Sequence, residues 1–166
     1  AVDGSVTVAG LGDGPMTCVT TDGWGIADSG TIRPQDVFGE VGVTTYVSGC
    51  TGGPPGLEMY SAPGTVLWPE SYDAATDRVT GEAYPWLWAM WVAAPDCDVD
   101  LYAVDPFAGA PLTFDNATAT LAYGPIEAEV TAAEGTGCDG VAAVGDRATV
   151  EITIVASPGF TVHPLP

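Results

Sequence analysis

Polar and apolar residues alternate in many short segments of this sequence, and this period of two constrains the fold more than any other feature. Residues 149–155 read Thr-Val-Glu-Ile-Thr-Ile-Val, with aliphatic side chains at every second position. Because successive side chains of a strand point to opposite faces, such a segment predicts a strand with one buried face. The same alternation occurs at residues 5–8, 16–20, 41–47, 57–60, 78–82, 97–104, 118–123 and 126–130.

Segments rich in glycine and proline separate these predicted strands. They lie at residues 12–15, 52–56, 106–111, 135–140 and 157–159. Many short strands joined by such turns are typical of antiparallel sandwiches and barrels, and no helical period extends beyond two turns. We therefore predict an all-β fold, an antiparallel β-sandwich of Ig-like or jelly-roll-like type, in which residues 1–166 form a single domain.

The charge of the chain limits its partners. There are 22 acidic residues and three basic ones, all arginine, and the formal net charge is −19. Such a surface repels polyanions, which excludes nucleic acids and anionic membrane surfaces as direct partners, and it attracts cations such as Ca²⁺ or a basic protein. The longest apolar run, residues 85–95, is half the length of roughly 20 residues that spans a bilayer, so we predict no membrane insertion.

The cysteine pattern predicts two disulfides and secretion. The four cysteines form no Cys-x-x-Cys pair and the only histidine is His163, so the clustered ligands of a zinc site are missing. Disulfides imply an oxidising compartment. The chain begins Ala-Val-Asp without methionine, as a mature protein does after its signal peptide is removed. We therefore expect an extracellular or cell-surface protein.

Several short motifs occur in the order found in a group of small secreted, disulfide-containing actinobacterial proteins of unknown function. The chain resembles that group through Thr17-Cys18, Gly49-Cys50, Pro85-Trp86, Cys97, Gly137-Cys138-Asp139-Gly140, Gly145-Asp146-Arg147-Ala148-Thr149 and Ser157-Pro158. The resemblance implies secretion and an all-β fold, and it implies no activity.

Four cysteines allow three pairings, and we predict Cys18–Cys50 with Cys97–Cys138. This pairing links cysteines at strand edges within each half of the chain, and it agrees with the resemblance. On the chain-entropy model, loops of this length predict a stabilisation of about 3–4 kcal/mol for each bond.

Asp96, Asp98 and Asp100 are spaced two residues apart, so their carboxylates either share the solvated face of a strand or wrap a cation such as Ca²⁺. The strand face is the favoured interpretation. An EF-hand is rejected because Leu101 and Phe107 stand where its loop needs glycine and glutamate. Calcium at these three residues is kept as the alternative, and no other cofactor is predicted.

The segment from Tyr84 to Val92 is apolar on both faces if it is one strand. Its larger face, which includes Trp86 and Trp88, is assigned to the core. Leu87 and Trp91 are then predicted to lie outside, covered by a loop of this chain or by a partner, because soluble monomers rarely leave such a patch bare.

No catalytic constellation is identifiable. There is no Gly-x-Ser-x-Gly elbow, a phosphate-binding loop is impossible without lysine, and nothing singles out two of the 22 acids as a glycosidase pair. Asn116-Ala117-Thr118 is a formal N-glycosylation sequon, which we attribute to chance. We predict a non-enzymatic extracellular structural protein that self-assembles. The alternative is a module that binds carbohydrate or protein through exposed tryptophan.

Overall fold

The computed structural model describes residues 4–19, 25–27, 42–47, 49–61, 65–85, 89–155 and 161. These residues form thirteen strands and one 3-10 turn at Thr136–Cys138. The strands are Gly4–Ala9 (β1), Met16–Val19 (β2), Gly25–Ala27 (β3), Gly42–Val47 (β4), Cys50–Thr51 (β5), Glu58–Ser61 (β6), Val66–Asp73 (β7), Arg78–Tyr84 (β8), Ala89–Ala94 (β9), Cys97–Ala103 (β10), Ala110–Asp115 (β11), Thr120–Glu134 (β12) and Arg147–Val155 (β13). No helix in this described part is long and apolar enough to cross a membrane.

The strands pair antiparallel throughout the described residues, with β12 as the branch point. The main path runs β3-β4-β6-β9-β10-β12-β13-β1-β2-β5, and a second path runs β7-β8-β11-β12. The first residues of β12 pair with β11, and the later ones pair with β10. Between them, at Gly124 and Pro125, the register with β13 shifts. The antiparallel all-β prediction is confirmed, while the sandwich arrangement stays a prediction.

The core is formed by the inward residues of these strands. In β13 the predicted alternation is confirmed, since Ala148, Val150, Ile152 and Ile154 are each at most 2% exposed. Similar positions on the other strands join them in one hydrophobic cluster. Burial of an aliphatic side chain stabilises a fold by about 1.5–3 kcal/mol, so the inward face of the sheet supplies the main driving force for folding.

Both predicted disulfides are present, and they account for all four cysteines. Cys18 and Cys50 are direct partners in the pairing of β2 with β5. Cys97 begins β10, and Cys138 lies in the 3-10 turn that follows β12. Two disulfides in one chain are characteristic of an oxidising environment.

Two strands that contain proline were missed by the sequence analysis. β7 holds Pro69 and pairs only with β8 among the described strands, with a register shift next to the proline. The predicted turn at residues 106–111 overlaps β11, where Pro111 lies one residue before the pairing with β12 begins. Because proline lacks an amide hydrogen, it is tolerated at a sheet edge, at a bulge or at the end of a ladder.

The predicted single strand from Tyr84 to Val92 is corrected. Tyr84 ends β8 and Ala89 begins β9, and these strands belong to different paths of the sheet. Pro85 follows β8 directly and cannot donate to a ladder, which accounts for the end of that strand. Residues 86–88, including Leu87, lie outside the described residues. Within β9 the predicted alternation holds, because Met90 and Val92 are buried and Trp91 is exposed.

Candidate functional site

Three neighbouring strands, β6, β9 and β10, place aromatic side chains on the outside of the sheet. Tyr60 and Trp91 are direct partners across β6 and β9, and 38% and 39% of their surfaces are exposed. Directly opposite side chains on neighbouring strands lie within about 4.5–5.5 Å at their Cβ atoms. The next outward position of β10 carries Tyr102, which is 45% exposed. We refer to Tyr60, Trp91 and Tyr102 as the aromatic face.

Strand alternation explains why these side chains point outwards. Each is flanked in sequence by buried residues that belong to the core. Met59 precedes Tyr60, Met90 and Val92 flank Trp91, and Leu101 precedes Tyr102; each of these neighbours is at most 2% exposed. A one-residue slip in the register would bury the aromatic residues and expose the core. The position of the aromatic face is therefore fixed by the core behind it.

Carboxylates surround the aromatic face. Asp100 is the partner of Trp91 across β9 and β10, and Glu129 is the partner of Tyr102 across β10 and β12. Glu58 Oε2 accepts a hydrogen bond of 3.0 Å from the Tyr60 hydroxyl. The acidic residues on this side of the sheet include Glu58, Asp98, Asp100, Glu129 and Glu134.

One arginine borders this group of carboxylates. Arg147 Nη2 lies 2.8 Å from Glu129 Oε2, and both side chains are well exposed, so the ion pair is worth less than about 1 kcal/mol. Among the described residues, the carboxylates of Asp98 and Asp100 have neither an ion pair nor a hydrogen bond to a side chain or backbone donor. The aromatic face thus has a surplus of negative charge.

The structure separates the three aspartates that were considered for calcium. Asp98 and Asp100 lie on the same outer side of β10, as expected for a solvated strand face. Asp96 precedes the strand in a turn and has a positive φ of 63°. The part of the chain that the structure describes contains no group of three acidic, histidine or cysteine side chains able to hold a metal ion. The geometry therefore offers no support for calcium at these three residues.

A second acidic group, in the turns after β7 and β11, is engaged within the fold. Asn116 is 9% exposed, and its side-chain amide donates a hydrogen bond of 2.9 Å to Asp77 Oδ1. Tyr72 donates to the same oxygen, also at 2.9 Å. Glycosylation attaches to this amide nitrogen, so its burial and hydrogen bond agree with the interpretation of the sequon as chance.

Two carboxylates of these turns, Asp73 and Asp115, have a pKa below the ordinary value. Arg78 donates a hydrogen bond to Asp115 and lowers the pKa of that carboxyl, with further help from the Thr118 amide. The Ala75 amide and the Thr76 hydroxyl lower the pKa of Asp73 in the same way. Acids whose pKa is lowered by turn contacts serve to fix the turns, and they are poor candidates for proton transfer at neutral pH.

A shallow groove of about 270 Å³ is lined by residues of β11, β12 and β13, near the register shift of β12. Its lining residues include Thr113, Glu151 and Thr153. The Tyr123 ring also lines it; burial raises the pKa of this phenol, and a hydrogen bond with Thr65 partly offsets the effect. Among the described residues, Glu151 is the one carboxylate that lines the groove, whereas glycosidase chemistry requires two.

Sequence reasoning identified Trp91 but did not identify Tyr60 or Tyr102. Each lies on a predicted strand at an outward position, so local alternation would have shown its exposure. The pairing of β6 with β9 and of β9 with β10 brings the three together. No protein-family model, curated protein or solved structure matches the chain.

Salt is expected to stabilise the fold. With a net charge of −19, repulsion between carboxylates opposes the compact state. Raising NaCl from 0.01 M to 0.15 M shortens the screening length from about 30 Å to about 8 Å. We expect the melting temperature, followed by circular dichroism, to rise by several degrees over this range. Calcium added at fixed ionic strength tests the site at Asp96, Asp98 and Asp100. A melting temperature that changes with neither NaCl nor calcium would contradict both the stabilisation by salt and the calcium site.

Proposed function

We propose that this chain is a non-catalytic extracellular protein that binds a partner through the aromatic face. The observation that carries the proposal is the direct pairing of Tyr60 with Trp91, both more than a third exposed, beside exposed Tyr102. Aromatic residues are enriched at binding surfaces because they supply a large contact area with few rotatable bonds. Contiguous apolar patches on soluble proteins commonly mark such surfaces.

The binding-module hypothesis is favoured over the self-assembling structural protein by the charge around this face. In a symmetric dimer through the aromatic face, each surface would meet its own copy. The five carboxylates of one copy would then approach those of the other, with Arg147 as the described cation beside them. Repulsion between like charges across an interface costs several kcal/mol.

The described ends of the sheet also offer little for strand-to-strand assembly. β7 carries Pro69 and a register shift, and β5 is two residues long. Short strands, proline and bulges are features that protect sheet edges from pairing with another chain. These features support a protein that binds through a face of the sheet.

The absence of an evident reaction centre in the sequence supports the non-catalytic part of the proposal. His163 is the only histidine, and all four cysteines are in disulfides. Histidine, the most common general base, is therefore limited to one residue, and no free thiol is present to act as a nucleophile. The extracellular part rests on the two disulfides, which persist in oxidising compartments.

Light scattering coupled to size exclusion tests the choice between binding and assembly. We expect a monomer of 16.9 kDa at both low and physiological salt. A higher assembly that Trp91→Ser dissolves would instead identify a structural subunit that uses this face. A higher assembly that Trp91→Ser leaves intact would place the assembly contact elsewhere and leave the aromatic face available.

Binding itself is tested by screening the wild type against arrays of neutral glycans and of synthetic peptides. Ligands captured by the wild type should be lost with Trp91→Ser and retained with Trp68→Ser. Trp68 is a matched control because it is 38% exposed and lies on β7, away from the aromatic face. Equal losses in both variants would contradict the assignment of the site.

A further inference from the structure

We infer that the partner presents a cationic, extended polypeptide segment, whose arginine or lysine side chains bind over Trp91 and Asp100. This inference rests on the proposed binding role of the aromatic face, and it specifies the chemistry of the ligand. Its basis is the direct pairing of an exposed indole with a carboxylate across β9 and β10. The two groups favour the same kind of ligand.

A guanidinium group is complementary to this pair. Its plane stacks on an indole through cation–π attraction, and its N–H groups donate to a neighbouring carboxylate. Asp100 is half-buried beside Trp91, where the Coulomb attraction is less weakened by solvent than at a fully exposed position. Since the described residues provide no cation or donor for the Asp100 carboxylate, a ligand would supply the missing partner.

The charge of the whole face favours a cation over a neutral sugar. The five carboxylates named above, set against one arginine, already leave an excess of four negative charges around the aromatic side chains. A neutral glycan would stack on Trp91 but would gain nothing from this net charge. A basic segment would gain both local attraction and faster association, steered by the net charge of −19.

The spacing of the acids predicts the spacing of the ligand's cations. Asp98 and Asp100 are two residues apart on one strand, a separation of about 6.8 Å. Side chains at positions i and i+2 of an extended peptide lie on one side at the same separation. A peptide with arginine at every second position therefore matches Asp100 with one guanidinium and Asp98 with the next.

The test uses isothermal titration calorimetry with acetyl-Gly-Arg-Gly-Arg-Gly-amide at 0.15 M NaCl. The same peptide with citrulline in place of arginine is the neutral comparison. We expect Trp91→Ser to weaken binding of the arginine peptide about tenfold, and the nearly isosteric Asp100→Asn to weaken it several-fold. The controls Trp68→Ser and Glu151→Gln, both away from this face, should bind within about twofold of the wild type.

The outcomes separate the ligand class from the binding role. If the controls weaken binding as much as the face variants, the peptide is responding to overall charge and the inference fails. It also fails if the citrulline peptide binds equally well. If the arginine peptide does not bind but a neutral oligosaccharide binds in a Trp91-dependent manner, the ligand class is wrong and the proposed function stands. If no ligand on either array depends on Trp91, the proposed function itself fails. Melting curves of all variants confirm folding. Asp100→Asn removes the negative charge while it keeps the size and shape of the side chain, so it tests the charge without a loss of packing.

Discussion

Replacing Cys97 and Cys138 together by alanine is expected to lower the free energy of unfolding by about 4 kcal/mol. The bond closes a loop with a sequence separation of 41 residues, and its loss frees the unfolded chain to explore many more conformations. Both cysteines are also buried, at 3% and 6% exposure, so packing is lost as well. Because small domains are stable by only about 5–15 kcal/mol, this change removes a large share of the total.

Urea denaturation of the double variant measures this effect, and Cys18→Ala with Cys50→Ala is its matched control. That bond has a sequence separation of 32, so a similar loss of stability is expected. Loss of the Cys97–Cys138 bond should also weaken ligand binding at the aromatic face, whereas loss of the Cys18–Cys50 bond should not. Cys97 is next to Asp98 on β10, whereas Cys18 and Cys50 join β2 to β5 at the other end of the strand order. A Cys97–Cys138 variant with an unchanged urea midpoint would contradict the stabilising role of the bond.

The strands were predictable from the sequence where alternation was unbroken. β1, β10 and β13 each carry apolar residues at every second position, and their burial follows that pattern. β7 and β11 were missed because Pro69 and Pro111 are strong local signals against a strand. The pairing of the strands permits these prolines, because β7 lies at an edge of the described sheet and Pro111 lies just before the ladder between β11 and β12 begins. Those partners are distant in sequence, so local patterns could not reveal them.

The candidate site shows the same division between local and long-range information. The outward position of Trp91 follows from its buried neighbours on β9, and it was predicted. Its pairing with Tyr60 and Asp100 depends on which strands become neighbours and in what register. Alternation specifies the face of each residue but not the residue opposite it. The three aspartates were therefore grouped by sequence spacing, whereas the fold places two of them on the outer side of β10 and pairs Asp100 with Trp91 of β9.

Adjacent substitutions on β9 are expected to have opposite consequences. Met90 is fully buried, and its partner on β10 is the equally buried Leu101. Met90→Ser would leave a cavity and bury a hydroxyl group, and we expect a loss of about 3–5 kcal/mol in the free energy of unfolding. Trp91→Ser removes a side chain that is 39% exposed, and we expect a loss of only about 1 kcal/mol.

Chemical denaturation and ligand binding, measured on both variants, distinguish the two faces of this strand. Trp91→Ser should remain folded and lose binding, because the core behind it is intact. Met90→Ser should lose most of its stability, and any molecules that remain folded should still bind, because the indole and the Asp100 carboxylate are unchanged. The reverse result, with Met90→Ser tolerated and Trp91→Ser unfolded, would mean that Trp91 belongs to the core. The strand would then expose its other side, and the binding proposals built on the aromatic face would fail.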